Sequence, residues 1–295
     1  MLPTFICVGA AKAGTTTLNN YLDIHPEVGL SLFKEPDFFH NELGVYDGGK
    51  PDGPPSSGHY YRGFEWYKNL FRPTPEMKAI GEISTAYIAI QDAPQLIYNH
   101  LPNVQIIFCL RDPVARLYSH YWEERKAGRK SPPFDEMVRS NHPRFAYYYY
   151  VSSYHLHIKR YLELFPTEKV LITLFDDLRD NPLQYIQEVY NFIGVNHKFT
   201  PPNLGVKSNI SQKPKSAVFQ RLLTWLATAR WELTTDYWLY EWMAIFGRWL
   251  VRLNSRNLTY PPLPPEIRRS LVYEFKETTK VVESLLQREL TSWKN

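Results

Sequence analysis

Near its start the chain carries Gly9-Ala-Ala-Lys-Ala-Gly-Thr-Thr-Thr-Leu18, a loop of the phosphate-binding kind whose lysine is displaced. The loop that cradles nucleoside triphosphates reads G-x-x-x-x-G-K-[ST], with lysine directly after the second glycine. Here Thr15 holds that place, and Lys12 comes two residues before Gly14. Backbone N–H groups of Ala13, Gly14, Thr15, Thr16 and Thr17 would face an anion from a helix N-terminus, and the threonine hydroxyls add donors. Glycine at position 14 lets the backbone approach closely. The lysine that would reach a γ-phosphate is missing. No Walker-B carboxylate follows an apolar strand either, because Val104–Leu110 runs into an arginine. The loop suits an anion with a shorter tail.

A second cluster is Leu110-Arg-Asp-Pro-Val-Ala-Arg-Leu-Tyr-Ser-His-Tyr121. Asp112 is placed as an N-cap and Pro113 as the first helical residue. Arg111 then stands at a strand end with Ser119 about two turns into the helix. An arginine fork with a hydroxyl can clamp a second phosphate. Read alone, Arg111 could equally pair with Asp112 or Glu82.

These residues need elements to hold them, and the chain supplies an α/β rhythm. Short apolar runs over Thr4–Gly9, Val28–Leu32, Lys78–Ile83, Val104–Leu110 and Val170–Phe175 alternate with helical patterns, which predicts parallel βα units. A helix is expected from Gly14 to Leu22, and an amphipathic one over Pro265–Leu290. The strand ends carry Lys12, Lys34-Glu35, Glu82, Arg111-Asp112 and Asp176-Asp177. Ligands of open α/β sheets bind outside those ends, so one rim is expected to gather the charged residues. A Gly/Pro/Ser-rich loop, residues 44–58, borders that rim.

Residues 213–253 leave this rhythm. They read as an aromatic-rich helical insertion, with Trp238, Trp242, Ile245 and Trp249 at helical spacing. Such a face packs on the body or in a homodimer contact, or else lies at a membrane interface with Arg221, Arg230, Arg248 and Arg252 toward headgroups. Residues 1–295 are expected to form one domain around this insertion.

Bulk properties narrow the class. A formal charge of +4 favours an anionic ligand but is far from that of a nucleic-acid binder. The two cysteines, Cys7 and Cys109, lie in apolar runs and read as reduced core residues. No window is long and apolar enough for a membrane span, so a cytoplasmic location is expected, with peripheral attachment as the variant. His155 and His157 are two apart on an expected helix and do not share a face as metal ligands would. Tyr147–Tyr150 suits ordinary packing better than a platform for sugars.

Together the opening loop, KEPDFF (Lys34–Phe39), HYYRGFEWYKNLF (His59–Phe71), GEISTAYI (Gly81–Ile88) and LRDPVARLYSHY (Leu110–Tyr121) resemble the sulfotransferases that use 3′-phosphoadenosine 5′-phosphosulfate (PAPS). The likeness leans to the carbohydrate-acting branch with the heparan sulfate enzymes and their bacterial relatives. It implies a P-loop-like α/β fold with a central parallel sheet between helical layers. It also implies a donor with a 5′-phosphosulfate and a 3′-phosphate but no γ-phosphate, which accounts for the displaced lysine. By the same resemblance Lys12–Thr17 would hold the phosphosulfate, Lys12 lying near the bridging oxygen, and Arg111 with Ser119 the 3′-phosphate. Glu35 would be the general base, since transfer to a hydroxyl or amine must shed a proton. Lys34 would stand beside it, His40 and His59 being fallback bases.

No metal is implied. The acceptor would be a glycan, polymeric or lipid-linked, attacked in line at sulfur. Two departures stand out: Ile83 replaces a lysine common in heparan sulfate relatives, and Arg256-Asn257 falls where those relatives carry Lys-Gly, so that Arg256 would close over the 3′-phosphate. Two other readings remain. One is a P-loop nucleotide kinase, which the residue at Thr15 disfavours. The other is an inactive glycan-binding module, which has no reason to retain Lys12, Glu35 and Arg111 together.

Overall fold

The computed structural model describes residues 2–40, 58–126, 131–205, 212–216, 219, 223, 246–247, 250, 255–257 and 260–295. Residues 44–57, the side chain of Arg256 and most of 213–253 lie outside the described residues. The chain falls into two compact units. The larger takes in Met1–Tyr121, Pro132–Ser208 and Leu263–Asn295, and the smaller Trp122–Ser131 and Asn209–Pro262.

The larger unit opens with β1 (Phe5–Gly9), α1 (Thr15–Asp23), β2 (Val28–Leu30), α2 (Phe64–Lys68), β3 (Ala79–Ile83) and α3 (Ala93–His100). It continues with β4 (Gln105–Leu110), α4 (Pro113–Lys126, which runs on into the smaller unit), α5 (Phe134–Arg139), α6 (Pro143–Ser152) and α7 (Tyr154–Leu162). Then come β5 (Val170–Leu174), α8 (Phe175–Asp180) and α9 (Pro182–Phe192). It ends with α10 (Pro265–Glu274), α11 (Lys276–Leu286) and α12 (Thr291–Lys294).

All five strands are parallel and lie in the order β2-β3-β1-β4-β5. Every residue of β1 and β3 is buried, as expected of strands covered on both faces by helices. Chain direction across the sheet reverses between β1 and β4, whose connections leave toward opposite edges. That neighbouring pair makes the crevice where α/β sheets bind ligands.

The aromatic richness is largely core. Tyr21, Tyr67, Tyr87, Tyr148, Tyr154, Tyr161 and Tyr190 are fully buried. Two of them tie distant segments together: Tyr161 donates to the Tyr87 carbonyl at 3.0 Å and Tyr190 to that of Tyr21 at 2.8 Å. Cys7 and Cys109 are buried free thiols whose sulfurs lie 3.7 Å apart across β1 and β4. The long helix expected over Pro265–Leu290 is instead two helices that meet at Phe275. Phe275 is buried at that junction and stacks on Tyr149 with centroids 4.6 Å apart.

In the smaller unit Gln212–Pro214 (β6) pairs antiparallel with Ser255–Asn257 (β7), placing Arg256 opposite Lys213. The rings of Trp122 and Tyr260 stack there at 5.2 Å.

Candidate active site

The opening loop is tied to the sheet at its first residue, where the Ala10 N–H donates to the Cys109 carbonyl at 2.7 Å. Lys12 then turns left-handed, with φ 70, a conformation that costs a non-glycine residue on the order of 1 kcal/mol. Gly14 follows at φ 90 and caps α1 without a side chain. A Cβ there would meet Leu178 at 2.6 Å and Phe175 at 3.1 Å, so position 14 requires glycine for both shape and space. The Thr17 and Leu18 N–H groups close onto the Gly14 carbonyl at 2.9 and 3.1 Å. Those of Thr15 and Thr16 have no acceptor inside the helix. The first turn of α1 holds no acidic residue, so its partial positive charge is not offset by its own side chains.

Arg111 leaves the end of β4 half-buried beside this loop. Its Nη1 donates to the Lys12 carbonyl at 3.2 Å, and its guanidinium lies 4.7 Å from the centre of the Phe175 ring. Tyr154 donates its hydroxyl to the Arg111 carbonyl at 2.9 Å, which anchors the backbone there. Burial pulls the guanidinium pKa below its ordinary value, so an anion here would meet a poorly solvated cation.

The carboxylates that could have claimed Arg111 are engaged elsewhere. Asp112 caps α4 through the Val114 N–H at 2.9 Å and pairs with Arg268 at 2.7 Å. Glu82 is taken by three hydroxyls. Among the described residues no carboxylate lies within ion-pair distance of Arg111. Ser119 stands half-buried on α4, in the second turn after Pro113.

Glu35 follows β2 at φ 59, with its N–H bonded to the Ile83 carbonyl at 3.0 Å. Its Oε1 receives Lys34 Nζ at 2.7 Å and the Thr85 hydroxyl at 3.1 Å. The expected Lys34 neighbour is thus in contact. Thr85, within the GEISTAYI run, is a contact that the sequence does not mark. The side chain of Glu35 is 41% exposed, so the ion pair holds a geometry more than it adds stability.

One expectation for the rim needs correction. Glu82 does not reach it: the side chain is fully buried, because both faces of a parallel sheet are covered. Tyr67 donates to its Oε1 at 2.5 Å, Ser84 to Oε2 at 2.6 Å, and Tyr87 to Oε1 at 3.3 Å. Asp176 and Asp177 do reach the rim, where Arg179 and Arg288 pair with them at 2.8 and 3.0 Å.

Of the fallback bases, His40 is buried and pushed down to about 4 by that burial. His59 directs Nδ1 at the Pro36 carbonyl, 2.8 Å away. Tyr148 to Tyr150 pack on His120, Phe275 and His157. One residue was missed altogether. Asp37, left-handed at φ 45, has its Oδ1 shielded and without a hydrogen-bond partner. Burial raises its carboxyl well above the usual range. No sequence signal marks a left-handed aspartate.

A sulfotransferase domain model matches residues 2–226. The chain is 26% identical, over 99% of its length, to bifunctional heparan sulfate N-deacetylase/N-sulfotransferase 4 of Mus musculus, of which the match covers 31%. It is 25% identical over 204 residues to heparan sulfate glucosamine 3-O-sulfotransferase 3A1 of Mus musculus, covering 68% of this chain and 47% of that one. The chain therefore spans from under a third to about half of these curated relatives. The crystal structure of a sulfotransferase from Alicyclobacillus acidocaldarius superposes with a TM-score of 0.69 at 25% identity, and both chains are covered in full. With the family match running through the loop, Glu35, Arg111 and Ser119, the chain belongs to the sulfotransferase family.

Proposed function

We propose that this chain transfers the sulfuryl group of PAPS to a hydroxyl or amine of a glycan. The observation that carries the proposal is Arg111, half-buried, without a carboxylate among the described residues, and bonded to the carbonyl of left-handed Lys12. The uncapped N-terminus of α1 lies one loop away. A cation fork beside a ring of N–H donors suits a ligand with two anionic groups. The heparan sulfate enzymes among the relatives support a glycan as acceptor.

In this reading the N–H groups from Ala13 to Thr17 hold the 5′-phosphosulfate, while Arg111 and Ser119, with Arg256 as a further clamp, hold the 3′-phosphate. Glu35 takes the acceptor's proton. Lys34 and Thr85 both address Oε1, which leaves Oε2 as the accepting oxygen. As the acceptor oxygen or nitrogen bonds to sulfur, the bond from sulfur to the bridging oxygen breaks. Lys12 meets the charge that then develops on the departing adenosine 3′,5′-bisphosphate. That interaction is stronger in the transition state than before it, and so it lowers the barrier. No step calls for a metal.

The same proposal takes residues 1–295 as one sulfotransferase domain with 213–253 inserted. Among the described residues no helix is long and apolar enough to cross a membrane. A cytoplasmic location, peripheral attachment or homodimer contact through 213–253, and a lipid-linked form of the glycan are readings of the sequence carried into this proposal.

The test is calorimetric titration with adenosine 3′,5′-bisphosphate of the wild type, Lys12→Ala and Arg111→Ala. Micromolar binding, weakened about tenfold or more by each substitution (about 1.4 kcal/mol), is the expected result. A folded wild type that does not bind overturns the proposal. Stronger binding of ATP with Mg²⁺ would favour a kinase.

A further inference from the structure

The segment that carries Glu35 is held to the residues after β3 by a regular set of bonds. The N–H of Glu35 donates to the Ile83 carbonyl at 3.0 Å, that of Asp37 to Ser84 Oγ at 3.1 Å, and that of Phe39 to the Tyr87 hydroxyl at 3.2 Å. Every second N–H of Glu35–Phe39 is therefore used, as along a strand edge. Two of the three acceptors are side-chain hydroxyls, and a hydroxyl accepts well only when its own proton points elsewhere.

The Ser84 and Tyr87 protons point at Glu82. Ser84 donates to Oε2 at 2.6 Å, and Tyr87 lies 3.3 and 3.5 Å from the two carboxylate oxygens. Tyr67 completes the set on Oε1 at 2.5 Å. An ionised carboxylate only accepts, so it draws all three protons inward and turns hydroxyl lone pairs toward Asp37 and Phe39. The segment so fixed includes Glu35 at φ 59 and Asp37 at φ 45, two conformations that persist only where surroundings over-determine them. We infer that buried Glu82, acting through Ser84 and Tyr87, is a positioning residue that sets the Glu35 carboxylate for proton abstraction. This rests on the reading of Glu35 as the general base.

Glutamine at position 82 is nearly isosteric, but its NH₂ would donate toward one of these hydroxyls and turn that proton outward. Ser84→Ala and Tyr87→Phe each remove one acceptor while leaving Glu82 in place. The experiment compares Glu82→Gln, Ser84→Ala, Tyr87→Phe and Glu35→Gln, with partly N-desulfated heparan oligosaccharides as acceptors and amide hydrogen exchange as a readout free of turnover.

The expected result has three parts. Protection of the Asp37 and Phe39 amides falls about tenfold or more, while that of the Phe5–Gly9 amides is unchanged. The value of kcat falls about tenfold, while adenosine 3′,5′-bisphosphate affinity and acceptor KM stay within about twofold. Added to Glu35→Gln, neither Ser84→Ala nor Tyr87→Phe lowers kcat further.

Unchanged protection and kcat in both hydroxyl variants, with Glu35→Gln reduced to residual turnover, would overturn the positioning role alone. Equal further losses in the Glu35→Gln background would reduce Glu82 to a structural residue and overturn it too. Full turnover by Glu35→Gln would remove the base itself, and the positioning role with it.

Discussion

Arg111 donates to the backbone carbonyl of Lys12 at 3.2 Å, although the two lie 99 residues apart in sequence. The bond joins the end of β4 to the loop after β1 and makes one edge of the proposed site from two motifs. A lysine at 111 would keep a charge but lose the fork that bonds the carbonyl and the planar face that lies over Phe175. Arg111→Lys should therefore weaken adenosine 3′,5′-bisphosphate by about tenfold, close to the loss in Arg111→Ala. Calorimetry decides it: affinity near wild type would mean that charge alone suffices.

Gly14→Ala should cost both stability and donor affinity. The residue sits at φ 90, and a Cβ would press on Leu178 at 2.6 Å and Phe175 at 3.1 Å. Gly194 provides the control, since it is also left-handed at φ 77 but has nothing within 4 Å of the added carbon. Gly194→Ala should lose only the backbone cost, on the order of 1 kcal/mol. Gly14→Ala should lose more, together with about tenfold in adenosine 3′,5′-bisphosphate affinity. Equal losses in thermal melts would remove the packing argument.

Much of this was legible in the sequence because its signals were local. The β1 loop, the Asp112 cap and the Pro113 helix start each depend on a few adjacent residues, and the five apolar runs stand within two residues of the strands observed. The fate of Glu82 was not legible. A strand covered on both faces shows no alternation, so nothing in AIGEI says which way the carboxylate points. Its partner Tyr67 comes from α2, 15 residues away. The left-handed turns at Lys12, Glu35 and Asp37 were hidden for another reason: none is a glycine, and their conformations are imposed by tertiary bonds.

The pH dependence of turnover should carry the signature of Glu82. Burial raises its carboxyl to about 7 against the pull of the hydroxyls that donate to it. The groups that bear on it are Tyr67 from α2, Ser84 and Tyr87 after β3, Asp37 after β2 and Tyr161 from α7. If the ionised form sets the Glu35 segment, wild-type kcat should rise through pH about 7, and Glu82→Gln should lack that limb. Stability moves the opposite way. The folded pKa lies above the ordinary 4.5, so the folded state keeps a proton that the unfolded chain has lost, and stability falls as pH rises from 4.5 to about 7. The full change is about 3 kcal/mol, absent from Glu82→Gln in urea titrations. A wild-type limb that persists in the glutamine variant would reassign the ionisation.

Acid should destabilise the fold through buried neutral histidines, His157 first. Its Nε2 lies 2.7 Å from the Tyr150 carbonyl, to which it donates, while Nδ1 accepts from Arg160 Nη2 at 2.6 Å. Only the neutral Nε2–H tautomer satisfies both contacts, because a proton on Nδ1 would point into a guanidinium. Burial pushes the ring down to about 3, and burial likewise pushes His40 down to about 4. Both folded values lie below the ordinary 6.5, so the unfolded chain takes up protons first and stability falls as pH drops below 6.5. Each histidine contributes up to about 1.4 kcal/mol per pH unit between 6 and 4.5, while Glu82 contributes a slope of the opposite sign across the same window. Two protons against one leave a net loss toward acid. His157→Gln can donate to Tyr150 and accept from Arg160 without titrating, so its urea-unfolding free energy should decline less steeply, by about one histidine's share. An unchanged slope would show that His157 is protonated in the folded chain and that its bond to Arg160 is not what holds it.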